Sequence, residues 1–468
     1  MSLTYSLGNA LSGLAAVSRQ TEVISSNISN ALTEGYARRE VALSASSIGG
    51  RGAGVTVDGV TRAVNAAITA DRRAAQTHMS GALALSDGLA RLEVAMGSAA
   101  DAGSIAGRIG ALEQALVAAA AEPSSDAGLQ AAQQALQAVV STLNASAAKV
   151  QQMRVDADAD IATQIKALNT SLTQIAALNT QISRALTTGA DAAGLMDQRA
   201  ILIDQVASLV PLTEVPRDNG AVALMAPGGV MLVDNSAATF SFTHSHTITA
   251  DMTLENGLLS GVLVDGRPLD ASGGMGKLAG GTLGAAFALR DTVLTAAQSG
   301  LDEIAADLAL KFQDSANDPS IAGGLGLFTD SGGLVDPSDA TGLSARLRLN
   351  TLIDPAQGGS AQLLRDGLYG GGTAVGSAVQ LNRWSSALGQ SSALAAGVLN
   401  DIAAARVSSD REASYQSALF NSLYSAEAAQ GVDTDREMQK LLLIETSYAA
   451  NAKVLQAVDG MLQTLLEI

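Results

Sequence analysis

Two heptad stripes, one at each end of the chain, constrain this sequence more than any other feature. At the N-terminus, Leu3, Leu7, Ala10, Leu14, Val17, Thr21, Ile24, Ile28 and Ala31 recur at alternating steps of three and four. At the C-terminus, Leu441, Ile444, Tyr448, Asn451, Leu455, Val458, Leu462 and Leu465 do the same. Such spacing puts every member on one narrow face of a helix, the a/d seam of a coiled coil. Everything else in the 468 residues is inserted between these two helices. The N-terminal stripe has two readings: a surface helix docked on its own domain, or an oligomerisation helix whose partner is the C-terminal stripe. Asn451 also has two. A single Asn in an apolar seam fixes register at a cost in stability, or the seam shifts locally and Ala452 faces inward.

The apolar content, 47%, comes with only 3% aromatic residues. Its mass is Ala and Leu, which favours long, closely packed helices. A net charge of −17 repels phosphate backbones and disfavours nucleic-acid binding. Cysteine is absent, which excludes disulfides and thiolate chemistry. The first basic residue is Arg19 and no continuous apolar core precedes it, so the N-terminus does not read as a cleaved signal peptide. No apolar run is long enough to span a bilayer.

Along the chain, a helix is predicted from about Ser2 to Ala31, then a Gly35-Tyr36 turn and an extended basic segment with Arg38 and Arg39. Residues 46–65 read as a loop and a short strand pair. Residues 66–211 are helical in pattern, broken at Glu122-Pro123-Ser124-Ser125. The stretch from about Ala127 to Thr187 forms one helix, about 90 Å long at 1.5 Å per residue. Pro211 ends the next helix. Two short strands, Val222–Met225 and Val230–Val233, flank a hairpin signal. Residues 239–249 alternate cleanly, with Phe240, Phe242, His244, His246 and Ile248 on one face of a predicted strand. Helix returns at Gly280, loops fill 314–380, and a last helical region begins near Gly389. Gly431 to Glu437 reads as a turn and N-cap, with acids at the positive helix end.

Several motifs carry a resemblance. Asn27, Asn30, Gly35, Tyr36 and Arg38 resemble the N-terminal signature of flagellar axial proteins, with Ala37 where a small polar residue is usual. Leu195-Met196-Asp197-Gln198-Arg199 resembles the conserved Asp-Gln-Arg helix of the flagellar hook-associated protein 1 family, with Ala200 in place of an acid. Leu301-Asp302-Glu303-Ile304-Ala305 through Phe312-Gln313 is similar to the same family. The segment Gly431–Glu437 with Tyr448–Lys453 resembles the axial C-terminal signature, Glu445-Thr446 replacing a glutamine pair.

The resemblance implies a structural subunit at the hook–filament junction, exported unfolded through the flagellar type III apparatus and placed outside the cell without a cleaved signal peptide. It implies a ring of identical subunits that contacts the hook protein and a second hook–filament junction protein, with an export chaperone on the C-terminal helix. Another flagellar axial protein, the hook subunit or the second junction protein, is the nearest alternative. A secreted coiled-coil translocator or adhesin would need a hydrophobic hairpin, which is lacking.

Chemistry is sparse. His244 and His246 point the same way on the predicted strand, but no third ligand is recognisable, so they read as half-buried structural residues. Asp156, Asp158 and Asp160 mimic the start of a calcium loop, yet Ile161 and Ala167 stand where Gly and Glu are required; they read as a solvated acidic face. No nucleophile elbow or phosphate loop occurs. The expectation is a non-enzyme without catalytic, cofactor-binding or metal residues.

The expected fold is mainly α with a small inserted β-domain, an elongated multidomain axial protein whose terminal helices pair as a coiled coil. Three parts are expected: residues 1–45 plus 420–468 as a terminal assembly domain, 46–211 plus 282–419 as a helical rod-like middle domain, and 212–281 as a small β-rich outer domain. The assembly interface is expected at Leu3, Leu7, Leu14, Val17, Ile24 and Ile28 with Leu441, Ile444, Tyr448, Asn451, Leu455, Val458, Leu462 and Leu465.

Overall fold

The N-terminal stripe folds as helix α1, Leu3–Ser29, and the chain after Gly35 turns into strand β1, Arg39–Ile48. In the computed structural model, residues 3–48, 51–269, 275–372 and 375–466 are described. Strand β2, Arg51–Arg62, pairs antiparallel with β1 from Arg39↔Arg62 onward. The expected loop with a short strand pair is thus a long hairpin. Its Val positions alternate, and Gly54 and Gly59 take positive φ near the two places where the register slips. Such bulges absorb an extra residue without ending the ladder.

Helices follow in the predicted order: α2, Ala66–Met96; α3, Ile105–Ala121; α4, Asp126–Thr187; and α5, Ala193–Leu209. Ser104 caps α3 by accepting the Gly107 N–H, and Pro123 with its neighbours breaks the chain before α4. Strands β3 (Thr213–Pro216), β4 (Val222–Ala226) and β5 (Val230–Val233) form one antiparallel sheet in sequence order. A second small sheet holds β6 (Phe240–Ser241), β7 (Leu263–Val264) and β8 (Arg267–Pro268). Helix α6, Gly281–Ala288, passes through a π-helical turn at Leu289–Val293 into α7, Leu294–Gln313. Strand β9 (Phe328–Asp330), short helix α8 (Leu343–Arg346), strand β10 (Leu347–Leu349) and short helix α9 (Leu363–Asp366) come next. Helices α10 (Val379–Leu388), α11 (Ser391–Ala428) and α12 (Thr434–Leu466) close the chain. Among the described residues no helix is long and apolar enough to cross a membrane.

The chain groups into two compact units where three parts were expected. One comprises Met1–Met79, Ala167–Thr239 and Gln416–Ile468, the other Ser80–Lys166 and Phe240–Tyr415. The β-rich stretch 212–281 is divided between them. β3–β5 join the first unit because Asn179 of α4 bonds both the N–H and the C=O of Val222. β6–β8 belong to the second.

The second unit has one continuous apolar core, from Leu89 and Leu92 through Ile109, Leu136, Val139 and Leu143 to Leu301, Leu308 and Leu381. Trp384, fully buried, stacks on Phe312 at 4.9 Å, and Phe328 meets Phe312 edge-on at 5.3 Å. Asp302, from the hook-associated signature, is buried and accepts the N–H groups of Gly342 and Ser344 at 2.7 and 2.9 Å.

Two sequence expectations fail in this unit, and for one reason. Residues 239–249 are not a strand beyond Phe240–Ser241. Their backbone groups are served by buried side chains of α4 in place of a ladder. Arg154 donates to the carbonyls of Thr249 (3.0 Å) and Met252 (2.6 Å), and Asp158 accepts the Ser245 N–H at 2.6 Å. Asp158 is therefore not part of a solvated face: its side chain is fully buried and paired with equally buried Arg290 at 2.5 Å. Asp156 and Asp160 stay exposed, as an acidic face requires. The Arg290 guanidinium lies 4.8 Å from the Phe287 ring centre and 5.6 Å from that of Phe242. Burial works against its charge, but hydrogen bonds and the charges of Asp291 and Asp158 outweigh this and raise its pKa. His244 and His246 do face the same way, their rings in edge contact at 4.1 Å, and no cluster of three metal-ligating side chains occurs among the described residues.

Removing one partner of a buried pair strands the other charge. Asp158→Ala is therefore expected to destabilise the second unit by about 3–5 kcal/mol, while Asp160→Ala stays within about 0.5 kcal/mol. Guanidinium melts followed by fluorescence of Trp384, the single tryptophan, read the difference; equal midpoints would contradict the assignment.

Candidate assembly core

The first unit is organised around one buried side-chain amide. Asn27, on the last full turn of α1, has no exposed surface. Its Nδ2 donates to the Arg39 carbonyl and to Glu437 Oε2, both at 2.9 Å. Its Oδ1 accepts the Tyr36 hydroxyl at 2.8 Å and the Arg39 N–H at 2.9 Å. Both amide donors and both acceptor lone pairs are thus used. One residue joins α1, the turn after it, the start of β1 and the first turn of α12.

Each neighbour in this joint has a steric or electrostatic reason for its identity. Gly35 sits at φ +74°, and a Cβ there would lie 2.5 Å from Ile201 Cγ1, so both backbone and space demand glycine. The Tyr36 ring lies under the Arg39 guanidinium at 4.9 Å. Asn30 donates to the Ser26 carbonyl and accepts from Thr33, closing the turn. Arg38 pairs with Glu40 at 2.5 Å. Asp433 caps α12 by accepting the N–H groups of Asp435 and Arg436, as its sequence predicts. Glu437, 1% exposed, takes Lys440 Nζ at 2.8 Å as well as Asn27.

The Asp-Gln-Arg helix, α5, reaches the joint from the other side. Asp197 accepts Arg62 Nε at 2.8 Å, Arg39 Nη2 at 3.2 Å and the Ala37 N–H at 3.3 Å. One carboxylate thereby clamps both strands of the β1–β2 hairpin. Arg199 points elsewhere, donating to Asn179 Oδ1 at 2.8 Å and to the Gly220 carbonyl at 2.9 Å. Burial lowers its pKa to about 10, Glu214 opposing this and Arg62 and Arg73 adding to it. Gln198 between them is exposed. Of the three signature residues, two hold the fold and one faces solvent.

The two terminal helices lie antiparallel. Asn27 meets Glu437, while fourteen residues away along each helix a Cβ on Gly13 would come 2.9 Å from Asn451 Nδ2. Asn451 therefore packs against α1 at a glycine, which admits its amide. Val17, Ile24 and Val458 are buried; Leu7, Leu14, Ile28, Leu441, Ile444 and Leu455 are half-buried. Tyr448 and Leu462 are exposed by 52% and 38%, and half-buried Ser447 stands beside the seam where Tyr448 was expected to close it. The side chains of Leu3 and Leu465 lie outside those described.

Sequence reasoning did not single out the arginine pair of α2. Arg72 and Arg73, both buried, converge on Asp204 of α5. Arg72 also pairs with Glu427 of α11, and Arg73 with Glu214 of β3 at 2.5 Å. Burial alone would lower the Arg72 pKa; Asp204 and Glu427 outweigh it and raise it. Two adjacent arginines within an otherwise Ala-rich helix were the available signal.

Comparison with known proteins follows the same parts. Residues 89–319 match the family described as flagellar hook-associated protein FlgK helical domain. Residues 7–36 match the flagella basal body rod protein family, and residues 426–468 the C-terminal family of flagellar basal body rod FlgEFG proteins. The chain belongs to the FlgK family of flagellar hook-associated proteins. Flagellar hook-associated protein 1 of Salmonella typhimurium is 31% identical over 50% of this chain and 43% of its own length. The Escherichia coli protein of the same name is 26% identical over the same shares. A solved structure, the flagellar hook junction protein FlgK from Burkholderia pseudomallei, is 24% identical with a TM-score of 0.45, covering 56% of this chain and 46% of that one. The chain thus aligns with under half the length of the curated relatives it matches.

Asn27→Ala removes in a buried place the bonds that Asn27 makes to Glu437 Oε2, to the Tyr36 hydroxyl and to the Arg39 backbone. Each uncompensated group costs about 1–3 kcal/mol. The variant is expected to lose protection against hydrogen exchange in α1, β1 and the start of α12 together, with the second unit unchanged. Asn30→Ala, at the half-buried turn, should cost less than about 1 kcal/mol and leave α12 protected.

Proposed function

We propose that this chain is a subunit of the junction between the flagellar hook and filament, assembling through its terminal helices into a ring of identical subunits. The observation that carries this reading is the conjunction of three matches in one chain: axial-protein families at both ends and the FlgK helical domain between them. On this reading the hook protein lies on one side of the ring and the second hook–filament junction protein on the other. The chain leaves the cell unfolded by the flagellar type III route, with a chaperone on α12.

The physical case rests on what the terminal helices leave uncovered. α12 exposes Leu442, Leu443, Tyr448 and Met461 by half or more of their surface. Burying a Leu-sized side chain is worth roughly 1.5–3 kcal/mol, so a neighbour covering several of them supplies part of the free energy of association. No catalysis enters this proposal; Asn27, Asp197 and Arg199 of the signatures hold the fold.

Cells lacking this chain are expected to carry hooks without filaments and to shed filament protein into the medium. Normal filaments in such cells would overturn the junction reading. Removing residues 455–468 should abolish restoration of filaments while the second unit keeps its Trp384 melting transition; restoration by the truncated chain would remove α12 from the mechanism.

A further inference from the structure

Between Phe242 and Ile248 the backbone leaves the small sheet and is held by side chains, and two histidines stand side by side on it. His244 is half-buried and His246 exposed. Their rings meet edge-on, with centres 4.1 Å apart and planes at 68°. Neither imidazole hydrogen-bonds to another group among the described residues. A histidine that serves only the fold normally has its ring N–H bonded. Here the two rings have only each other and solvent.

The segment that carries them is fixed from both sides. Asp158 accepts the Ser245 N–H at 2.6 Å, Ser260 Oγ accepts the Thr243 N–H at 3.3 Å, and Ile248 is buried. Phe242 packs edge-on against Phe287, ring centres 5.9 Å apart. The cost of bringing the two imidazoles together is therefore met in folding. Two nitrogens bound to one ion at 2.0–2.1 Å in a tetrahedral array stand roughly 3.3 Å apart. With the ring centres at 4.1 Å, rotation about the side-chain bonds is enough to bring one nitrogen of each ring to such a spacing.

We infer that His244 and His246 form a two-imidazole site for a late first-row divalent cation, Cu2+ foremost, with water completing the coordination. Imidazole nitrogens suit copper, nickel and zinc, whereas Mg2+ and Ca2+ take oxygen ligands, and at a given nitrogen site the affinity is greatest for Cu2+. Two protein ligands are one fewer than a catalytic zinc site uses, so the ion exchanges with solution and clips a segment that is already folded. A net charge of −17 draws cations to the molecule. The chain has no cysteine to compete, and its one other histidine, His78 of α2, is an internal control. The site lies wholly within the second unit and does not depend on the junction reading.

The test titrates the full chain with CuCl2 alone, in a buffer free of chelators, and follows the ring Cε1–H signals of labelled histidine by NMR. Two of the three signals should broaden together at substoichiometric Cu2+, and the third, assigned to His78 by its loss in His78→Gln, should need at least tenfold more. Electron spin resonance should show an ion coupled to two imidazole nitrogens. His244→Gln and His246→Gln should each weaken binding at least tenfold, while His78→Gln leaves it unchanged. Equal broadening of all three signals, coupling to a single imidazole, or undiminished binding by His244→Gln would overturn the inference. Equal competition by Mg2+ would also overturn it, because the ion would then sit on carboxylates. Where a histidine variant fails to fold, the titration and spectrum of the unaltered chain decide.

Discussion

The first unit depends on the side-chain amide of Asn27. A buried polar group is tolerable only when its hydrogen bonds are made, and this one makes all four. Two run to the main chain of Arg39, which fixes where β1 begins. One runs to Tyr36, which fixes the turn, and one to Glu437, which fixes where α12 passes α1. Slipping α12 by one residue would break the Glu437 bond and move Asn451 off Gly13. The polar contact therefore sets the register that the apolar faces alone, rich in Ala and regular in spacing, leave weakly defined. Asp197 extends the same logic, since its carboxylate ties the hairpin that starts at Arg39 to α5.

The second unit applies a related device to a different problem. Its segment 242–262 has almost no ladder to satisfy its backbone. Arg154 and Arg290 supply donors from buried positions, and Asp158 supplies the acceptor. The π-helical turn at Leu289–Val293 contains Arg290, and an inserted residue of this kind re-aims the side chains that follow. Irregular backbone is held here by ionic groups because a segment rich in Thr and Ser offers little apolar mass to pin it.

How much of this was legible follows from the range of each signal. The helices were readable because a period of 3.6 residues repeats over many turns. The uninterrupted α4 and the break at Pro123 fell where the pattern put them. The signature residues were legible as a group, but their wiring was not. Asn27 and Glu437 stand 410 residues apart, and Arg39 and Asp197 stand 158 apart; no local pattern records such partners. The alternation at 239–249 misled for the same reason. Phe240 and Ile248 are buried as alternation requires, but strand formation needs a pairing neighbour, and the neighbour turned out to be a row of side chains. Asp158 reads as a surface acid until Arg290, 132 residues later, is known to face it.

The terminal seam is the case where sequence and structure together say more than either. Periodicity finds a stripe on α12 and a stripe on α1, and the two helices pack together within the chain. Repetition alone leaves several registers open, because every heptad step presents a similar apolar residue. Glu437 on Asn27 and Asn451 against Gly13 select one of them. The feature most visible in the sequence therefore brings the two ends of the chain together, and two polar side chains decide how they align.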